Sequence, residues 1–207
     1  MKVLMINGSP RQHGCTDTAL REVAATLEKH GIESEIYWIG TKPVQGCMAC
    51  NRCGKLGRCV VEDDVNAIAD RWDEFDGLVI GSPVYYAGVS GQLSSFLNRL
   101  FYCTPKSKIA GKPGAGVVSC RRGGATATFD QLNKYFTISN MPVVSSTYWN
   151  QVHGRVPESV LKDEEGLQTM RHLGENMAWM LKCFALGREQ GIPMPDYEEP
   201  IMTDFIR

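Results

Sequence analysis

A chain of 207 residues with 22 basic and 23 acidic side chains fits one domain of ordinary size and is long enough to bury a substantial core. The charges nearly cancel and no Lys/Arg-rich tract stands out, so nothing points to a nucleic-acid or membrane surface, and a small molecule is the default partner. Met1-Lys2 is followed by only four apolar residues, too few for a signal-peptide core, and no run approaches the ~18 residues of a membrane span, so a cytoplasmic location is expected.

Val3-Leu4-Met5-Ile6 is a short apolar run bounded at once by Asn7-Gly8-Ser9-Pro10, and it reads as a central parallel strand. The loop that follows, Gly8 to Thr16, is rich in hydroxyls and glycine and carries one arginine and no acid. It leads into a helical pattern at Ala19, Leu20, Val23, Ala24 and Leu27, so the spacing predicts a helix over 17–30 capped by Thr16 or Asp17 and stopped by Gly31. Strand, polar loop and helix N-terminus together aim backbone N–H groups and the positive end of a helix dipole at one spot, where a phosphate can sit. Neither the P-loop nor the G-x-G-x-x-G fingerprint is present, which leaves a mononucleotide phosphate. Cys15 and Arg21 stand in the C-x5-R relation of cysteine phosphatases, but Arg21 is already a turn into the helix, so that match is read as chance.

Ile32 to Ile39 alternates in part and reads as strand two. Gly40 to Cys59 has no period, carries five glycine or proline residues and reads as a long functional loop. Asp63 or Asp64 then caps a helix with Val65, Ile68, Ala69 and Trp72 on one face. Leu78-Val79-Ile80 is strand three, followed by a polar turn, Gly81-Ser82-Pro83, an aromatic loop from Val84 to Gly91 and a helix burying Leu93, Phe96, Leu97 and Leu100. Ala115 to Ser119 is strand four, with a glycine-bearing loop and a helix over 126–136 after it; Pro142 to Ser146 is strand five. A last helix over 163–190 places Leu167, Met170, Met177, Met180, Leu181 and Phe184 on one broad apolar face.

Five βα units predict an α/β fold: a flavodoxin-like five-stranded parallel sheet of order 2-1-3-4-5, helices on both faces, and a cysteine-bearing loop, residues 40–62, after strand two. The domain is expected over 1–192, with 193–207 as a tail. The ligand belongs at the carboxyl ends of strands one and three, flanked by the loops that start at Gly8 and Gly81. Tyr85 and Tyr86 suit a flat, partly apolar ring, and Arg121 and Arg122 could face that ring or remain on the surface.

The run Ile6-Asn7-Gly8-Ser9-Pro10-Arg11 with Gly14, Thr16 and Thr18, the run Gly81-Ser82-Pro83-Val84-Tyr85-Tyr86 with Gly91, Leu93 and Phe96, and Gly123-Gly124 after strand four resemble the NADPH-dependent FMN reductase family. With Cys47, Cys50, Cys53 and Cys59 added, the chain is similar to its iron-sulfur flavoprotein branch. The likeness covers Met1 to about Leu186 and departs from the family pattern at Cys15 and at Cys120 to Gly124. It implies FMN, with Ser9, Arg11, Cys15, Thr16, Asp17 and Thr18 at the phosphate, Pro83, Val84, Tyr85, Tyr86 and Gly88 against the isoalloxazine, and Ser119, Arg121, Gly123 and Gly124 beside them. NAD(P)H is the implied co-substrate.

Cys47-x2-Cys50-x2-Cys53-x5-Cys59 suits a 4Fe-4S cluster better than zinc, because one tight loop can offer three thiolates and a fourth follows nearby, whereas zinc sites usually use two separated C-x2-4-C pairs. Arg52, Lys55 and Arg58 would offset the cluster's charge. A zinc site and a metal-free loop both stay open. Cys103, Cys120, Cys183 and the four histidines read as ordinary packed or surface residues.

The expected function is an oxidoreductase that takes hydride from NAD(P)H and gives electrons to a small-molecule acceptor or, through a cluster, to a redox protein partner. The flavin N5 carries the chemistry, with no catalytic side chain. Two alternatives are a flavodoxin-like electron carrier and a zinc-stabilised interaction protein. A homodimer or homotetramer is expected from the aromatic loop and the apolar face of the last helix.

Overall fold

The computed structural model describes residues 1–204. Five parallel strands make the sheet: β1 (Lys2–Asn7), β2 (Glu33–Trp38), β3 (Gly77–Tyr85), β5 (Gly114–Cys120) and β6 (Gln151–His153), in the order β2-β1-β3-β5-β6. A two-residue strand, β4 (Gly88–Val89), pairs antiparallel with the end of β3. Setting that hairpin aside, the order is the flavodoxin-like one expected.

β1 is central because all of Val3, Leu4, Met5 and Ile6 are apolar and are fully buried. Leu4 and Ile6 point to one face with Leu78 and Ile80, under α3 (Asp64–Ala69), α4 (Gly91–Cys103) and α5 (Ala125–Ile138). Val3 and Met5 point to the other with Val79, Ala115 and Val117, under α1 (Cys15–Lys29) and α7 (Glu164–Glu189). Two short helices complete the set: α2 (Cys53–Leu56), inside the cysteine loop, and α6 (Pro157–Val160).

Several expectations are corrected. Helix α1 starts at Cys15 with Gly14 as its N-cap, not Thr16 or Asp17, because Gly14 takes the extended cap backbone and Thr16 already lies in the first turn. The fifth strand is Gln151–His153 rather than Pro142 to Ser146; of the latter only Val143 bridges, to Gly114, before the chain bends away and returns. The aromatic stretch is a hairpin, not an irregular loop. Of the apolar face expected on α7, Leu167, Met170, Met177 and Leu181 are buried in the α1-side core, while Met180 and Phe184 are half-buried. The tail has no helix or strand from Pro193 through Asp204, and its last three residues lie outside the described part. Among the described residues, no helix is long and apolar enough to cross a membrane.

Candidate cofactor site and cysteine loop

The chain winds outward from β1 in both directions, to β2 on one side and β3 on the other, so a crevice opens at their carboxyl ends. There the strand-end loops are joined to one another. Gly8 N donates to Gly81 O at 2.9 Å, and Ser90 Oγ donates to Gly8 O at 2.8 Å. Glycine is required at both strand ends by packing: a Cβ on Gly8 would stand 2.3 Å from Leu93 Cδ2, and one on Gly81 would stand 2.7 Å from Thr16 Cγ2.

The Ser9–Thr16 loop is held by side chains at the ends of β1 and β2. Asn7 Oδ1 accepts from Ser9 N at 3.0 Å while Asn7 Nδ2 donates to Gln12 O at 3.0 Å, and Trp38 Nε1 reaches across from β2 to Ser9 O at 2.7 Å. The loop ends on α1, whose N-terminus has no side-chain cap. The first-turn N–H groups of a helix have no intrahelical acceptor, so this end is a donor cluster with positive dipole character.

The predicted residues divide by what they have free. Thr16 Oγ1 and Ser119 Oγ sit 2.8 Å apart, both buried; one hydrogen is used between them and the other remains to donate. Arg11 is exposed, with its backbone N on Ser9 Oγ at 3.1 Å. Thr18 Oγ1 donates back to Gly14 O at 3.3 Å. The Asp17 carboxylate is occupied by Arg21 Nε at 2.7 Å and His13 Nδ1 at 3.4 Å, so what Asp17 has for an anion is its backbone N–H. Burial pushes the Cys15 thiol up, and its Sγ donates to Gly154 O at 3.7 Å.

The residues expected against a ring lie on the β3–β4 hairpin, in which Val84 pairs with Val89 and Tyr85 with Gly88. Its two turn residues, Tyr86 and Ala87, both have left-handed backbones (φ 50° and 57°) although neither is glycine. That turn suits the twist of a hairpin but is strained for side-chain-bearing residues. It is braced from α5: Gln131 Oε1 accepts from Val89 N at 2.9 Å, and a Cβ on Gly124 would stand 2.7 Å from Ala87 Cα. Tyr86 is fully exposed, and Arg121, Arg122 and Gly123 are exposed.

The cysteine loop is built differently. Cys47 and Cys50 are exposed, Cys53 and Cys59 half-buried, and all four line one concavity with Cys103 and Arg99. Burial, with Cys59 close by, pushes the Cys103 thiol up to about 11. The donors suit a sulfur-ligated metal in kind, but among the described residues no three His, Cys, Asp or Glu side chains are drawn together closely enough to hold a metal ion. Ala49 and Asn51 carry left-handed backbones (φ 53° and 56°), and Tyr102 OH holds Asn51 Oδ1 at 2.6 Å.

The model of the NADPH-dependent FMN reductase family matches residues 1–154. The chain belongs to that family. An iron-sulfur flavoprotein of Methanocaldococcus jannaschii is 35% identical over 189 residues, 88% of this chain and 98% of its own length, which sets the chain in the iron-sulfur flavoprotein branch. Among solved structures, RosB with the bound intermediate 8-demethyl-8-formylriboflavin-5'-phosphate has a TM-score of 0.69 at 15% identity, covering 100% of this chain and 94% of that one. The Trp repressor binding protein from Bacillus subtilis has a TM-score of 0.63 at 20% identity, covering 84% and 99%. At these identities the two structures show the fold alone.

Within this FMN reductase fold, sequence reasoning missed the residues that hold the loops in place. Asn7 had a readable signal, since Asn at a strand end commonly bonds the backbone two residues on. Trp38, Ser90 and Arg99 had none, because Ser9, Gly8 and Asp63, their partners, are distant in the chain, and Asn66, though its partner Cys59 is seven residues away, sits in no turn pattern that marks it.

Proposed function

We propose that the chain binds FMN at the three strand-end loops, takes hydride from NAD(P)H and delivers electrons to a small acceptor such as a quinone or an aromatic nitro or azo compound. The observation that carries this reading is the uncapped N-terminus of α1, closed in by hydroxyls from two strand ends and flanked by an exposed tyrosine hairpin. Bound flavin would supply the hydride-accepting centre. The protein's part is to bind and orient: first-turn N–H groups and the free Thr16/Ser119 hydrogen toward the phosphate, Arg11 as its countercharge, and the Pro83–Gly88 hairpin beside the ring. The buried, hydrogen-bonded strand ends keep that arrangement fixed and exclude water from its floor. No side-chain acid or base is required.

Cys47, Cys50, Cys53 and Cys59 would hold a 4Fe-4S cluster once the loop closes around it, serving a redox protein partner. Their spacing, their shared concavity and the branch to which the chain belongs support this. A homodimer or homotetramer is also part of the proposal, supported by exposed Tyr85, Tyr86, Tyr148 and Trp149; a single-chain mass in light scattering at all concentrations would count against it.

Anaerobically purified protein should show a flavin spectrum with about one FMN per chain and oxidise NAD(P)H steadily when given a quinone. Protein that stays colourless after FMN is added sinks the reading. Flavin without turnover makes it an electron carrier, and tightly held zinc without flavin makes it an interaction protein.

A further inference from the structure

Arg99, on the buried side of α4, is only 2% exposed, and none of its reach goes to solvent. Its Nη1 donates to Gln45 O at 3.3 Å and its Nη2 to Val61 O at 2.9 Å. All four clustered cysteines lie between those two carbonyls, so one guanidinium ties both ends of the cysteine loop together. Its Nε donates to Cys59 Sγ at 3.3 Å, and Asp63 grips the outer nitrogens at 2.5 and 2.8 Å. Asn66 completes the hold on Cys59, accepting from its N–H at 3.0 Å and donating to its C=O at 2.9 Å.

We propose that Arg99 is the positioning residue of the cysteine site: it clasps the loop shut and presets the Cys59 sulfur as the fixed ligand on which the other three thiols close. This rests on the cluster reading above. Closing a flexible loop costs entropy, and a loop whose two ends are already tied together loses less of it when its thiols close on a metal. The arrangement also explains an asymmetry: Cys59 is held through both backbone and sulfur, whereas Cys47 and Cys50 are exposed. Only a planar fork can serve a carboxylate, two carbonyls and a sulfur at once; an ammonium is a point donor.

Hydrogen exchange on full-length, FMN-bound, iron-free protein tests the clasp, and reconstitution with iron and sulfide tests what it is for. In Arg99→Lys, amides of residues 46–60 should exchange about tenfold faster or more, while β1 and β3 keep their protection and FMN stays bound at the wild-type ratio. Iron and sulfide retained per chain after reconstitution should fall. Asp63→Asn keeps the helix cap and should move both readouts in the same direction by less, which keeps the test decisive even where Arg99→Lys fails to fold. Wild-type exchange across 46–60 in the variants, or wild-type iron retention, overturns the proposal. A wild-type protein that takes up no iron overturns the cluster reading and with it the ligand role of Cys59, and exchange alone then judges the clasp.

Discussion

The strand-end loops and the cysteine loop stand at opposite extremes of how a fold can hold a functional segment. The former are continuations of buried strands: Gly8 and Gly81 are bonded across β1 and β3, and the paired hydroxyls of Thr16 and Ser119 are buried. The latter hangs from side chains, chiefly Arg99 and Asn66, and its outer thiols are exposed. A rigid floor suits a cofactor whose phosphate must be met by preplaced donors, whereas a loop on two anchors can still close around a ligand that arrives later.

The sharpest way to break the rigid side is Gly8→Ala. The new Cβ would lie 2.3 Å from Leu93 Cδ2, and Leu93 is fully buried with nowhere to go. We expect a loss of about 3 kcal/mol in urea unfolding and release of FMN on purification. Wild-type stability would show that the strand end can shift and that the floor is softer than described.

The matching cut on the other side is Asn66→Ala, which strips Cys59 of both backbone partners in a residue only 2% exposed. It should cost about 2 kcal/mol, since buried backbone groups are left unpaired, yet leave FMN affinity unchanged. A parallel loss of flavin would mean that the two regions are coupled and the contrast fails.

The same contrast governs what could be read from the chain. Three apolar runs with polar or glycine-bearing turns after them, at β1, β3 and β5, specify strands and strand-end loops by local pattern, so the centre of the sheet and the loops at its strand ends were legible. Strand five was misplaced because Pro142 to Ser146 looks as apolar as a strand, while the true strand, Gln151–His153, is only three residues long and is stabilised by pairing to Val118–Cys120. The cysteines were legible as a spacing. Their support was not, because Arg99 reads as one more basic residue of a helix until the fold brings Asp63, Gln45 and Val61 to it.

Thr16→Val separates binding from stability within the rigid side. The swap keeps the shape, removes the hydroxyl paired with Ser119, and leaves Ser119 with one partner fewer. About 1 kcal/mol of stability should go, and FMN affinity measured by fluorescence titration should weaken about tenfold if the free hydrogen of that pair serves the phosphate. Unchanged affinity would assign the pair to the core alone.

The smallest expected effect on stability tests whether strain in the hairpin serves the ring. Ala87 has φ 57°, a conformation that costs a residue with a Cβ about 1 kcal/mol. Ala87→Gly removes that cost but adds freedom to the unfolded chain worth roughly 0.7 kcal/mol, so the net change should fall within about 0.5 kcal/mol. The turn itself should become looser, because the Ala87 methyl is part of what packs against Gly124 on α5. FMN affinity should therefore weaken by a factor of about three although thermal stability barely moves. If affinity holds, the left-handed pair at Tyr86 and Ala87 is only the geometry a tight hairpin demands, and the rigidity that matters to the flavin ends at the strand tips.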